Sequence, residues 1–100
     1  MISTHYRKDR VKREELIKQI GTGEVIATFR VDRNHKNGME LHMITSNGII
    51  IIKNEHTNKV ITKLIARPNQ IKRYFDKETK EVKAIMKIAY EHQRLGYNLI

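Results

Sequence analysis

His42 lies in an alternating run, Met39 to Thr45, and is the histidine best placed to move a proton. An imidazole ordinarily titrates at about 6.5, and a lysine neighbour favours its neutral, basic form. On an open sheet face beside Lys53 it could act as general base or acid in phosphodiester transfer. The same residue could equally be a strand histidine that fills a half-exposed position. Arg67 and Tyr74 follow in the last third of the chain. An arginine can fork two donors onto a phosphate. A tyrosine ring can stack on a base, and its hydroxyl can join proton transfer. The alternative is that Tyr74 and Phe75 close the edge of the core while Arg67 is solvated. Lys72 and Arg73 read either as phosphate contacts or as a solvated helix face.

These residues sit in a window of one charge sign. Between Glu55 and Asp76 there is no acidic residue, yet the window carries Lys59, Lys63, Arg67, Lys72 and Arg73. The expectation is that a rigid strand–turn joint presents these cations together on one open surface. The whole chain has 20 Lys plus Arg against 11 Asp plus Glu, a formal net charge of +9. Such an excess in 100 residues favours RNA or another nucleic acid as partner, or else an acidic protein. Lys80, Lys83, Lys87 and Arg94 form a second basic strip.

Other chemistries lack their signatures. There is no cysteine, so no disulfide framework and no thiolate nucleophile or metal site. No two histidines have helical i, i+4 spacing, and no carboxylate cluster has a ligand pattern. His35 and His56 fall in predicted loops, and His5 and His92 look incidental. Gly21-Thr22-Gly23 is a turn without the following lysine and Ser/Thr of a phosphate loop. A nucleophile elbow is also missing. The reading is of a protein with no cofactor and no metal. No apolar run approaches the roughly 20 residues that span a bilayer, so no membrane partner is expected. Met1 to Arg7 has no signal-peptide core, and the expected location is cytoplasmic.

The elements that must position these groups follow from patterning. The chain reads as a single domain over 1–100, with 1–8 loose. Asp9 is placed to cap a helix running to Ile20, with Val11, Leu16, Ile17 and Ile20 as its apolar stripe. Four strands follow, at 24–31, 39–45, 49–54 and 59–67, the first with Val25, Ala27, Phe29 and Val31 on one side. Asn47-Gly48 is the strongest hairpin signal in the chain. Pro68 begins a short helix to Phe75. A last helix over 79–95 aligns Val82, Ile85, Met86 and Ala89, with Gly96 as its stop. The predicted class is α+β: an N-terminal helix, a four-stranded antiparallel β-meander, and C-terminal helices packed on one sheet face.

A two-residue turn at Asn47-Gly48 would pair Ser46 with Ile49, Ile44 with Ile51 and His42 with Lys53. The apolar set Leu41, Met43, Thr45, Ile50 and Ile52 would then face the helices. Glu40, His42, Ile44, Ile49, Ile51 and Lys53 would lie on the freer face. An even loop after strand three puts Thr62 beside Ile51 on that face, whereas a one-residue bulge substitutes Lys63 and Arg67.

This layout, with a late arginine and a tyrosine just beyond it, resembles the small RelE-like and barnase/EndoU/colicin-type ribonuclease toxins. Thr62-Lys-Leu-Ile-Ala-Arg67 is the closest local likeness, and the resemblance covers about residues 9–75. It implies a metal-independent ribonuclease that cleaves RNA by 2′-hydroxyl attack and is held by an inhibitor protein, which would be acidic here. It further implies that His42, Thr62, Arg67 and Tyr74 are catalytic. His42 or Tyr74 would handle the proton, and Lys63 and Arg67 would stabilise phosphoryl charge. Lys53, Lys63, Lys72 and Arg73 would contact nucleic acid. Two other readings need no catalysis: an RNA- or DNA-binding module, and a phage or mobile-element regulator that meets an acidic partner.

Overall fold

A computed structural model describes the backbone of residues 2–33 and 38–99. The predicted loop tip around His35 lies outside the described residues. The order is α1 (Ile2–Ile20), β1 (Val25–Arg33), β2 (Gly38–Thr45), β3 (Ile49–Asn54), β4 (Val60–Ile65), α2 (Pro68–Tyr74), α3 (Lys80–Arg94) and a 3-10 turn, Tyr97–Leu99. The four strands form one antiparallel sheet in the order β1-β2-β3-β4. The chain is therefore α+β with its C-terminal helices on one face of a meander. No helix among the described residues is long and apolar enough to cross a membrane.

The first helix starts at Ile2 rather than at Asp9. No glycine or proline interrupts residues 2–9, so the segment lacks a strong helix breaker. Asp9 is an interior residue of α1, not a cap. At the other end Gly21, at φ 85°, stops the helix, its N–H donating to Ile17 O at 2.8 Å.

The Asn47-Gly48 hairpin forms, but in a different geometry from the predicted one. Gly48 N–H donates to Thr45 O at 3.1 Å, and Ile49 N–H donates to the buried Thr45 Oγ1 at 3.1 Å. Only Gly48 takes a positive φ, 73°. A type I′ turn would need one at Asn47 as well. Asn47 instead spends its side-chain amide on the end of α1, donating to Gly21 O at 2.9 Å and Ile20 O at 3.4 Å. The result is Ser46-Asn47 at the turn centre with Gly48 as a bulge residue.

That one-residue difference resets the register. Ile44 pairs with Ile50, His42 with Ile52, and Leu41 with Lys53. A slip of one sends every side chain to the other face. His42, Ile44, Ile50 and Ile52 therefore share the face beneath α2 and α3, where the isoleucines pack with Ala66, Ile71, Val82, Ile85, Met86 and Ala89. Lys53 points to the other side and is not a neighbour of His42; its Nζ donates to Asn58 Oδ1 at 2.9 Å. The other face is not left open either. Ile17 of α1 packs on Ile49, Ile51 and Ile65, with Leu16, Ile20 and Met43 around them. Val11, expected on the same stripe, is 52% exposed.

The α1–β1 connection is fitted tightly against the hairpin turn. At Gly23, φ is 83°, and a Cβ would meet Ser46 Oγ at 2.8 Å and Asn47 N at 2.9 Å. Both the left-handed backbone and the close approach exclude a side chain. Gly23→Ala is expected to lower stability by about 2 kcal/mol or more, read as a fall in the urea midpoint at unchanged m.

Helix α3 follows its pattern. Thr79 Oγ1 accepts the Val82 N–H at 3.2 Å, and Gly96 follows the helix end at φ 76°. Val82, Ile85, Met86 and Ala89 are all buried. In α2, Pro68 occupies the first turn, and Gln70 Oε1 accepts the Arg67 N–H at 2.8 Å. The short turn after α3 returns to the sheet: Asn98 Nδ2 donates to Ile65 O at 2.8 Å and to Ala66 O at 3.1 Å.

Candidate nucleic-acid interface

His42 lies inside the protein, beside a carboxylate that is buried with it. His42 is 3% exposed and Glu40 5%. His42 Nε2 lies 3.1 Å from Glu40 Oε1, and its Nδ1 lies 2.6 Å from the Tyr74 hydroxyl. A carboxylate only accepts, so the consistent assignment has Nε2–H donating to Glu40 and Tyr74 O–H donating to Nδ1. Phe29 seals this chain of hydrogen bonds, its ring 5.4 Å from Tyr74 and 5.3 Å from Phe75. The expectation of His42 on an open sheet face is corrected. The one-residue register change and the cover of α2 make it an internal tie between β2 and α2. Tyr74, half-buried, is the other end of that tie.

Thr62 and Arg67 lie elsewhere. Register places Thr62 across from Ile52, itself across from His42. The Thr62 hydroxyl accepts from Arg13 Nη2 of α1 at 3.3 Å rather than approaching the imidazole. Arg67 is exposed where β4 gives way to α2, and its Nη2 donates to Asn98 O at 3.3 Å. The structure thus joins His42 with Tyr74, and separates both from Thr62 and Arg67.

The cations also divide. A cleft of about 410 Å³ runs between α1 and β4, with Arg13 and Lys18 on one wall and Lys63 on the other. Arg13 also lines an adjoining hollow with Arg67, Gln70 and Asn98. Lys72 borders a different groove, outside α2 and α3, with Lys83, Lys87 and Arg94. Arg73 and Lys59 are exposed. The single cationic surface expected from β4 through Lys72 and Arg73 is therefore two surfaces. The reason is topological: α2 turns back over the His42 face, so the cations after Pro68 depart from those before it.

Several contributors escape sequence reasoning. Arg13 lies outside the Val11, Leu16, Ile17 and Ile20 set, and nothing local marks it as facing Thr62, 49 positions away. Glu40 was noted only as sharing a face with His42. His92, taken as incidental, is 7% exposed and lies with its ring 5.5 Å from that of Tyr97. Its Nδ1 is buried without a hydrogen-bond partner. Burial pushes its pKa below the ordinary imidazole value, and the nearby Glu91 carboxylate only partly opposes this. The folded chain thus resists a proton that the unfolded chain accepts below about pH 6.5. Stability is fullest above that pH and falls as pH drops through the folded-state value. Thermal melts from pH 7.5 to 5 should show a steeper loss of Tm for the native chain than for His92→Gln.

Among the described residues no group of three or more His, Cys, Asp or Glu side chains could hold a metal ion. The chain matches no family model, no curated protein and no solved structure.

Proposed function

We propose that this is an RNA-directed protein that grips the phosphate backbone in the cleft between α1 and β4. One observation carries the reading: two separate elements, α1 and β4, bring Arg13, Lys18 and Lys63 to the same cleft, and Arg67 extends the row. Two packed elements fix the backbone positions of these cations, so only their side chains are ordered at binding. The net charge of +9 adds long-range attraction for a polyanion.

Metal-independent cleavage is the second reading, in keeping with the resemblance to small ribonuclease toxins. What favours it is that the cleft holds Thr62 and Glu14 beside the cations. In such a reaction the 2′-oxygen bonds to phosphorus and the P–O5′ bond breaks, giving a cyclic phosphate and a 5′-hydroxyl. A carboxylate such as Glu14 would take the 2′-proton, water would reprotonate the leaving oxygen, and the cations would stabilise the phosphoryl charge. His42, behind α2, would act only through the fold.

The two readings separate in one assay of total RNA incubated with the protein in EDTA. Retention of intact RNA in a gel supports the binding module. Cleavage that is lost in Glu14→Gln and Arg67→Ala, both folded, supports the enzyme. Absence of both retention and cleavage removes the RNA reading and leaves an acidic protein as the partner to seek.

A further inference from the structure

We infer that the α1–β4 cleft seats one unstacked nucleotide of a single strand, its phosphate on Arg13 and its base against Val60. The inference rests on the polyanion reading of the same cleft and makes it more specific: the protein selects single-stranded over duplex RNA.

Three features of the cleft point this way. The first is size. At about 410 Å³ the cleft is in the range of small-ligand sites, of order 300–1,000 Å³, and suits one nucleotide rather than a helix. The second is its two-sided lining. The cations Arg13, Lys18 and Lys63, with the Glu14 carboxylate among them, share it with Ile17 and Val60, while the Ile61 side chain packs toward the core under α2 and α3. Val60 is 52% exposed, an apolar side chain in water beside three cations. A phosphate alone needs no apolar wall, and an apolar ligand needs no cations. A nucleotide needs both, since its base offers a flat apolar face and its phosphate a charge.

The third feature is the state of Arg13. Its Nη2 is tied to Thr62 Oγ1 at 3.3 Å, which steadies the guanidinium against β4. Its Nε is buried with no hydrogen-bond partner. A guanidinium stripped of water on one side and only partly bonded in exchange gains strongly from an incoming anion. Duplex RNA keeps its bases paired and presents only its backbone and shallow groove, so it can reach the rim cations but cannot place a base on Val60.

The test uses the full chain with three probes: a fluorescent single-stranded RNA decamer, the same decamer annealed to its complement, and uridine monophosphate followed by amide NMR shifts. The expected result is at least tenfold tighter binding of the single strand than of the duplex. Val60→Asp, at an exposed edge position, should remove most of that preference while leaving the fold intact. Arg13→Ala should weaken the single strand about tenfold and the duplex less than twofold. Uridine monophosphate should shift amides of residues 60–63, and Lys83→Ala/Lys87→Ala should leave the preference for the single strand unchanged. Equal affinity for both RNA forms, a duplex preference, or a single-strand preference untouched by Val60→Asp would overturn the seat. If neither RNA binds, the RNA reading fails by itself. Shifts by the mononucleotide at residues 60–63 would then still support the seat, and their absence would remove it too.

Discussion

His42→Ala is expected to cost about 3–5 kcal/mol of folding stability, the largest loss from any single polar side chain described here. The imidazole is the middle of a three-residue chain with Glu40 and Tyr74. Removing it takes the imidazole bond from a buried carboxylate and from the Tyr74 hydroxyl, and opens a void under α2. Breaking a buried pair from one side is far more damaging than its net contribution suggests, because the remaining charge stays desolvated. Tyr74→Phe should be milder, about 1–2 kcal/mol, since it removes one neutral hydrogen bond and keeps the ring against Phe29. Urea denaturation at pH 7 separates the two. Equal losses would mean that the Glu40 side of the chain contributes little.

This prediction bears on function as well. If catalysis occurs, His42→Ala lowers it in step with the folded fraction, with kcat per folded molecule unchanged. A catalytic imidazole would instead abolish turnover in protein that remains folded.

The second large effect concerns affinity. Removing Lys18, Lys63 and Arg67 together should weaken single-stranded RNA about a hundredfold at 0.1 M salt. Each cation that meets a phosphate releases condensed counterion, and for single strands each adds about 0.7 to the log–log salt slope. Three such contacts amount to about two log units at 0.1 M. The matched control is Lys72→Ala/Lys83→Ala/Lys87→Ala, which removes the same charge from the groove outside α2 and α3. If affinity followed net charge alone, both triples would fall equally. The control should lose less than about fivefold, the long-range share of that charge.

Some of this was legible in the sequence, and the reasons differ from element to element. Val82, Ile85, Met86 and Ala89 recur at helical spacing, and nothing competes with that pattern, so α3 and its buried face were readable. Strands β1 to β4 follow from alternation and turn residues. The hairpin at Asn47-Gly48 was visible, but its register was not. The deciding fact is that Asn47 bonds the end of α1, a contact between elements 26 and 27 positions apart. From that one residue of slip came the misplacement of His42. Its partners, Glu40 two residues away and Tyr74 beyond the whole β3–β4 hairpin, turn a residue that looked free into one fully engaged. The site suffered in the same way. Lys63 and Arg67 were legible as cations without carboxylate neighbours in sequence. Their companion Arg13 was not, because the docking of α1 along β4 rests on Ile17, Ile49, Ile51 and Ile65, apolar residues that name no partner.

The most direct test is the salt dependence of binding to a single-stranded RNA decamer, from 50 to 300 mM KCl, for the native chain and the Lys18/Lys63/Arg67 triple alanine variant. A phosphate grip predicts a steep log Kd–log[salt] line for the native chain and a slope shallower by about two for the variant. Parallel lines, or a native affinity indifferent to salt, would contradict a phosphate grip in the α1–β4 cleft.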